Sequence, residues 1–118
     1  MLVVEDDRDL REMYQHALQF SGYAVEAVGD GLSALRQIIN GNPPDLVVLD
    51  LALPSLGGRD VRREMLSRAS TRDIPVVVVT GTDARDLSAS DYPCGVLHKP
   101  IEPEALVSAV DNCLKRPR

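Results

Sequence analysis

Short apolar runs rich in Val and Leu alternate along this chain with segments whose apolar residues recur at helical spacing. Such runs are typical of buried strands. They lie at residues 2–4, 24–28, 46–49, 76–79 and, in a shorter form, 96–97. The alternation predicts a strand-helix unit that is repeated five times.

The expected helices are bounded by capping residues, glycines and prolines. The first is expected to start after Asp6 or Asp7 as its cap and to stop at Gly22, and the others cover about 31–39, 59–68, 82–91 and 102–115. The second is expected to be capped by Asp30. The segment 82–91 is short, polar and rich in cap-forming residues, so a truncated helix or a loop is expected there.

Strands that are apolar on both faces and alternate with helices predict a parallel sheet covered on both sides, an α/β three-layer sandwich. The expected fold is flavodoxin-like, with strand order 2-1-3-4-5. In such open sheets the ligand crevice lies outside the carboxyl ends of the strands, where the strand order reverses. Here that point lies between the first and third strands.

Length and composition narrow the class of protein. A chain of 118 residues predicts one domain, residues 1–118, with no separate output domain. Its apolar runs are far shorter than the roughly 18 residues of a membrane-spanning helix, and no secretory signal pattern opens the sequence, so we expect a cytoplasmic protein. A net charge of -5 argues against nucleic-acid binding through a basic face.

The two cysteines, Cys94 and Cys113, lie far apart in the sequence, and the chain has only two histidines. This composition suggests neither a disulfide framework nor a zinc site. We therefore expect both cysteines to be buried or bystander thiols.

Polar residues follow the predicted strands at their carboxyl ends. They are Glu5 and Asp6 after the first strand, Asp50 after the third, Thr80 after the fourth and Lys99 after the fifth. Crowded carboxylates raise one another's pKa unless a cation lies among them. Mg²⁺ is the expected cation, because a few carboxylates plus water suit its octahedral coordination.

Asp50 is the candidate nucleophile of this cluster. A carboxylate beside a metal ion and a lysine can attack phosphorus and form an acyl phosphate. Lys99 and the metal would offset charge on the transferred group, while the hydroxyl of Thr80 would donate to one phosphoryl oxygen.

Four motifs, in this order and spacing, make the whole chain resemble a receiver domain of the two-component response regulator family, similar to the chemotaxis regulators. They are VVEDD at the first strand, LVVLDLALPSLGG around Asp50, VVVVTG at the fourth strand and LHKP at the fifth. The resemblance implies that Asp50 accepts a phosphoryl group from a sensor histidine kinase or a histidine phosphotransfer protein. It implies self-phosphorylation and autodephosphorylation at Asp50 but no turnover enzyme.

The resemblance also assigns the other site residues. It implies these Mg²⁺ ligands: Glu5 through water, Asp6, Asp50 and the backbone carbonyl of Ala52. Thr80 and Lys99 would contact the phosphoryl group. The Lys99-Pro100 peptide bond is often cis in such domains.

The sequence departs from the family near its fifth strand. Val96 stands where Tyr or Phe is common, so an aromatic switch cannot operate there and the signal must use backbone shifts after Thr80 or another element. The segment between Thr80 and Lys99 is also about three residues shorter than is typical. In the family the fourth helix, fifth strand and last helix form the face for a second copy or a downstream protein, and its geometry is expected to differ here.

Three other functions compete with that of a phosphoacceptor. A degenerate receiver would act as an interaction module without phosphorylation, and intact acidic residues leave that alternative open. A phosphatase of the haloacid dehalogenase type would carry its nucleophile after the first strand and a second Asp two residues later, whereas Ala52 lies two residues after Asp50. A flavodoxin would need a phosphate loop where EDDRDL repels phosphate.

Overall fold

Strands and helices alternate through residues 1–53, 56–81 and 92–115, which this computed structural model describes. The strands are β1 (Leu2–Val4), β2 (Glu26–Val28), β3 (Val47–Asp50), β4 (Val76–Thr80) and β5 (Val96–His98). The helices are α1 (Arg8–Phe20), α2 (Gly31–Asn40), α3 (Gly58–Leu66) and α4 (Pro103–Lys115). The predicted helix at 82–91 lies outside the described residues.

The strands form one parallel sheet in the order β2-β1-β3-β4-β5. This order confirms the flavodoxin-like prediction. Val4 at the end of β1 is opposite Leu49 in β3, so the reversal of strand order lies between these two strands. The carboxyl ends of β1 and β3 therefore open into the same crevice.

Helices cover both faces of the sheet, because successive residues of a strand point to opposite sides. On one face Leu49 and Val78 belong to an apolar cluster that includes residues of α2 and α3. On the other face Val48 and Val77 pack in a cluster with residues of α1 and α4. The predicted three-layer sandwich is confirmed.

Aspartate side chains cap the amino termini of the first two helices. Asp7 accepts a hydrogen bond from the N–H of Leu10 at 3.0 Å, and Asp30 accepts one from the N–H of Ser33 at 2.7 Å. The bonds from Ser33 hold the pKa of Asp30 below its ordinary value. Both predicted cap positions are confirmed, since α1 and α2 begin at the next residue.

The remaining bounds of the described elements agree with the prediction to within two residues. α1 ends at Phe20, and the chain then turns at Gly22, whose φ of 101° lies in the left-handed region. β2 is shorter than the predicted 24–28 and pairs only with β1 at the sheet edge. None of the helices in the described ranges is long and apolar enough to span a membrane.

Cys94 and Cys113 form a disulfide, with their Cα atoms 5.3 Å apart. The expectation of two separate thiols is therefore wrong. Their sequence separation of 19 obscures their proximity, because β5 carries the chain away and α4 brings it back along the sheet. Both side chains pack in the apolar cluster between the sheet and α4.

Candidate functional site

Three carboxylates converge at the carboxyl ends of β1 and β3. Glu5 and Asp6 directly follow β1, and Asp50 is the last residue of β3. One ligand oxygen from each side chain lies within 4.8 Å of the others. Glu5 and Asp50 are only 1% and 3% exposed, whereas Asp6 is exposed, so the cluster is open to solvent on one side.

Lys99 supplies an ammonium group to the two buried carboxylates. Its Nζ lies 2.6 Å from Oε1 of Glu5 and 2.9 Å from Oδ2 of Asp50. Lys99 follows β5, and its side chain crosses the end of β4 to reach the end of β3. One ammonium therefore pairs with two of the three carboxylates, and the cluster keeps an excess of negative charge.

Burial, and to a lesser degree the neighbouring charges, shifts the ionisation of the cluster. Burial raises the pKa of Glu5 to about 7, and the Asp50 carboxylate adds to that rise, although Lys99 and the N–H of Asp7 oppose it. Burial also disfavours the ammonium of Lys99, but hydrogen bonds to Glu5 and Asp50 outweigh burial and raise the pKa of Lys99. Lys99 is thus a fixed cation at neutral pH, while the compensation of negative charge is incomplete.

Both oxygens of Asp50 have hydrogen-bond donors. The backbone N–H of Ala52 donates to Oδ1 at 2.9 Å, and Nζ of Lys99 donates to Oδ2 at 2.9 Å. Asp50 is paired within the sheet with Val79 of β4. Its carboxylate is therefore oriented by a turn on one side and by a lysine on the other, at the end of a buried strand.

The start of α3 lies against the end of β3. The N–H of Gly58 donates to the carbonyl of Leu51 at 3.0 Å. A Cβ at residue 58 would lie 2.2 Å from the carbonyl oxygen of Asp50 and 2.6 Å from Cα of Leu51. The neighbouring Gly57 has more room, since the nearest atom to a Cβ there would be a carboxylate oxygen of Asp60 at 3.5 Å. Glycine is required at 58 by close backbone packing beside Asp50.

Thr80 and Val96 occupy the neighbouring strand ends. Thr80 is fully buried at the end of β4, one residue beyond the partner of Asp50, and its carbonyl accepts a hydrogen bond from the N–H of Lys99 at 2.9 Å. Val96 is partly buried and packs against the apolar cluster on the α2 and α3 face. The Lys99-Pro100 peptide bond is cis.

Sequence reasoning missed Arg11, which contacts the backbone of the site, and the pair formed by Arg62 and Tyr92. Nη1 of Arg11 in α1 donates to the carbonyl of Glu5 at 3.0 Å and, at 3.4 Å, to that of Asp6. Tyr92 is 7% exposed, and the guanidinium carbon of Arg62 in α3 lies 5.6 Å from its ring centroid. A basic residue five or six positions after two acids, within the first predicted helix, was a usable signal for Arg11, but no sequence pattern connected Arg62 with Tyr92.

Comparison with known proteins matches nearly the whole chain to one family. A family model described as response regulator receiver domain matches residues 1–111. The response regulator MprA of Mycobacterium sp. (strain KMS) is 40% identical over 123 residues, covering 98% of this chain and 50% of that protein. This chain thus spans about half the length of the curated relatives it matches.

Solved structures agree with the sequence match. A putative response regulator from Chloroflexus aurantiacus J-10-fl has a TM-score of 0.85 and 31% identity, covering 98% of this chain and 96% of that one. The chemotaxis response regulator CheY4 of Vibrio cholerae has a TM-score of 0.84 and 26% identity, covering 95% of each chain.

Proposed function

Since this chain belongs to the response regulator receiver domain family of two-component signal transduction, we propose that Asp50 accepts a phosphoryl group. The donor is a phosphohistidine of a sensor histidine kinase or of a histidine phosphotransfer protein. The observation that carries the proposal is the position of Asp50 at the end of β3. Lys99 donates a hydrogen bond to one of its carboxylate oxygens, and the N–H of Ala52 donates to the other.

The transfer is a displacement at phosphorus. A carboxylate oxygen of Asp50 forms the new O–P bond, and the N–P bond of the phosphohistidine breaks with its electron pair returning to the imidazole. Lys99, held in its charged form, stabilises the negative charge of the phosphoryl oxygens. The fully buried Thr80 at the adjacent strand end is the proposed hydroxyl donor to one of these oxygens.

Mg²⁺ is the proposed cofactor. The oxygen donors of Glu5, Asp6 and Asp50 suit this hard cation, and one ammonium leaves their negative charge uncompensated. Asp6, Asp50 and the backbone carbonyl of Ala52 would hold the ion directly, and Glu5 would act through water. When bound, the ion would offset the charge of the carboxylates and of the phosphoryl group.

The product is a modified protein rather than a released compound. Phosphorylation of Asp50 is stoichiometric, and hydrolysis of the acyl phosphate returns the original carboxylate. The proposed output is a change in protein–protein contacts on the side of the sheet that carries β5 and α4. Thr80 connects the two regions, because it is the last residue of β4, the strand beside Asp50, and its carbonyl accepts a hydrogen bond from the N–H of Lys99 after β5.

The test is the intact mass of the protein after incubation with acetyl phosphate and Mg²⁺. We expect wild type to gain one phosphoryl group, Asp50→Asn to gain none, and chelation of Mg²⁺ to suppress the gain. Asp73→Asn is the matched control, because Asp73 is exposed just before β4, at the amino ends of the strands and away from the candidate site, and should be labelled like wild type.

Two outcomes would contradict the proposal. Equal labelling of Asp50→Asn and wild type would place the phosphoryl group on another residue. Absence of labelling in wild type, with the folded state verified by circular dichroism, would favour an interaction module that works without phosphorylation.

A further inference from the structure

A short turn fixes one of the two cysteines just before β5. The N–H of Gly95 donates to the carbonyl of Tyr92 at 2.9 Å, which closes a turn with Pro93 and Cys94 at its centre. Proline favours the second position of such turns, and Gly95, with φ of 98°, adopts the left-handed conformation that leads into β5. The position of Cys94 is thereby determined by its own neighbours.

The second cysteine lies on the buried side of α4. Cys113 is 6% exposed and shares one apolar cluster with Leu106 and Val110, which precede it at helical spacing. Its Cα lies 5.3 Å from that of Cys94, within the usual range for a disulfide. A packed helix and a fixed turn thus hold the only two cysteines of the chain in bonding position.

We propose that Cys94 and Cys113 form a reversible thiol–disulfide modification site that ties the turn before β5 to α4. The fold has an extensive core besides the covalent bond, because the sheet is packed on both faces by apolar clusters. Two reduced thiols would remain acceptable in the cluster that they share, since a buried thiol behaves as a small apolar side chain. Cys94 is partly exposed, which gives a reductant or an oxidant access to the bond.

A low-molecular-weight disulfide such as oxidised glutathione is the proposed oxidant. The thiolate of Cys94 attacks one glutathione sulfur, forms a mixed disulfide and releases the first glutathione thiolate. The thiolate of Cys113 then attacks the sulfur of Cys94, forms the internal bond and releases the second. The protein gives up two protons and two electrons, and one oxidised glutathione becomes two reduced molecules.

The closed loop contains β5, Lys99 and most of α4. Oxidation therefore restrains the strand that leads to the cation of the candidate site, while the carboxylates on β1 and β3 lie outside the loop. This modification is chemically independent of phosphorylation at Asp50, so either proposal can fail without the other.

The direct test equilibrates the full chain with mixtures of reduced and oxidised glutathione, traps thiols with a maleimide, and counts the adducts by mass. We expect zero or two adducts per molecule, with both populations present within the range of glutathione mixtures. A bond that stays closed in excess reduced glutathione would be a permanent link, and two thiols that stay open in excess oxidised glutathione would show that no pair forms. Either result overturns the proposal.

Single variants test the order of attack. Cys113→Ser should stop at a glutathione adduct on the accessible Cys94, whereas Cys94→Ser should leave the buried Cys113 largely unmodified. The reverse pattern would contradict entry at Cys94. Circular dichroism verifies that each variant is folded, and Cys94→Ser replaces only a partly exposed side chain.

Hydrogen exchange tests whether the disulfide restrains β5. Amide exchange in Val96–His98 should be slower in the oxidised protein than in the reduced protein, and Cys94→Ser should match the reduced form under both conditions. Equal exchange in the oxidised and reduced wild-type proteins would contradict the claim that the bond restrains β5.

Discussion

The packing of α3 against the end of β3 predicts that Gly58→Ala damages both the fold and the candidate site. The added methyl group would lie 2.2 Å from the carbonyl oxygen of Asp50 and 2.6 Å from Cα of Leu51. These atoms belong to the backbone, so a side-chain rotation cannot relieve the overlap. The helix and the strand end must separate by about 1 Å to restore ordinary contact distances.

The expected cost follows from two opposing effects. Overpacking of this kind costs about 1 to 3 kcal/mol, and the rigid backbone on both sides places Gly58→Ala in the upper part of that range. Alanine recovers less than about 1 kcal/mol through its better helix propensity, because residue 58 lies at the helix start. We therefore expect a net loss of about 2 kcal/mol in the free energy of unfolding.

Gly57→Ala is the matched control. Its added methyl group would lie 3.5 Å from the nearest contact, and its φ of -66° suits any residue. The expected change is within about 0.5 kcal/mol, since a small loss at the helix cap is offset by a less flexible unfolded chain. Urea unfolding followed by far-ultraviolet circular dichroism measures both variants, because the chain contains no tryptophan.

The same pair of variants separates stability from site geometry. Gly58→Ala displaces the backbone of Asp50, so phosphorylation by acetyl phosphate should be slower than in Gly57→Ala under conditions where both are folded. A Gly58→Ala protein as stable and as reactive as the control would refute the close-packing argument.

Three further perturbations have defined outcomes. Lys99→Ala leaves two buried carboxylates without their ammonium and should lower the free energy of unfolding in urea by about 3 kcal/mol at neutral pH. This loss should shrink at about pH 5, because Glu5, with a pKa of about 7, is protonated there. An equal loss at both pH values would contradict this cause. The hydrogen bond to Asp111 raises the pKa of Tyr23 to about 12, so its stabilising effect is complete below about pH 10 and disappears as the pH rises through about 12. Ultraviolet titration should show a late tyrosine that Asp111→Asn shifts to lower pH, and no shift would exclude this pairing. Thr71→Val removes a buried 2.7 Å hydrogen bond that the Thr71 hydroxyl donates to a carbonyl in α3, and it should lower the free energy of unfolding by about 1 kcal/mol. An unchanged urea midpoint would show that the bond contributes nothing to stability.

The architecture was predictable because the apolar patterns of the strands, the helix caps and the order of the elements all indicate the same fold. Strands apolar on both faces require helices on both sides, and this pattern distinguishes β3 and β4 from half-exposed strands. Asp7 and Asp30 mark helix starts through a local hydrogen bond within three residues, which is why those two bounds were correct. The convergence of Glu5, Asp6 and Asp50 followed from strand order alone.

The features that sequence did not predict depend on contacts between distant segments. The bond from Cys94 to Cys113 requires the crossing of a turn and a helix, and spacing along the chain contains no measure of that distance. The packing of Arg62 over Tyr92 likewise joins α3 to the turn before β5. Gly58 could be assigned to a loop from sequence, but the approach of the Asp50 carbonyl became visible only in three dimensions.

The central claim is that a phosphoryl group forms an acyl phosphate on Asp50, and site localisation tests it most directly. Borohydride reduces an acyl phosphate to an alcohol, so reduction after incubation with acetyl phosphate and Mg²⁺ should convert Asp50, and no other aspartate, to homoserine in peptide mass spectra. An unmodified Asp50, or homoserine at Asp6 instead, would contradict the account.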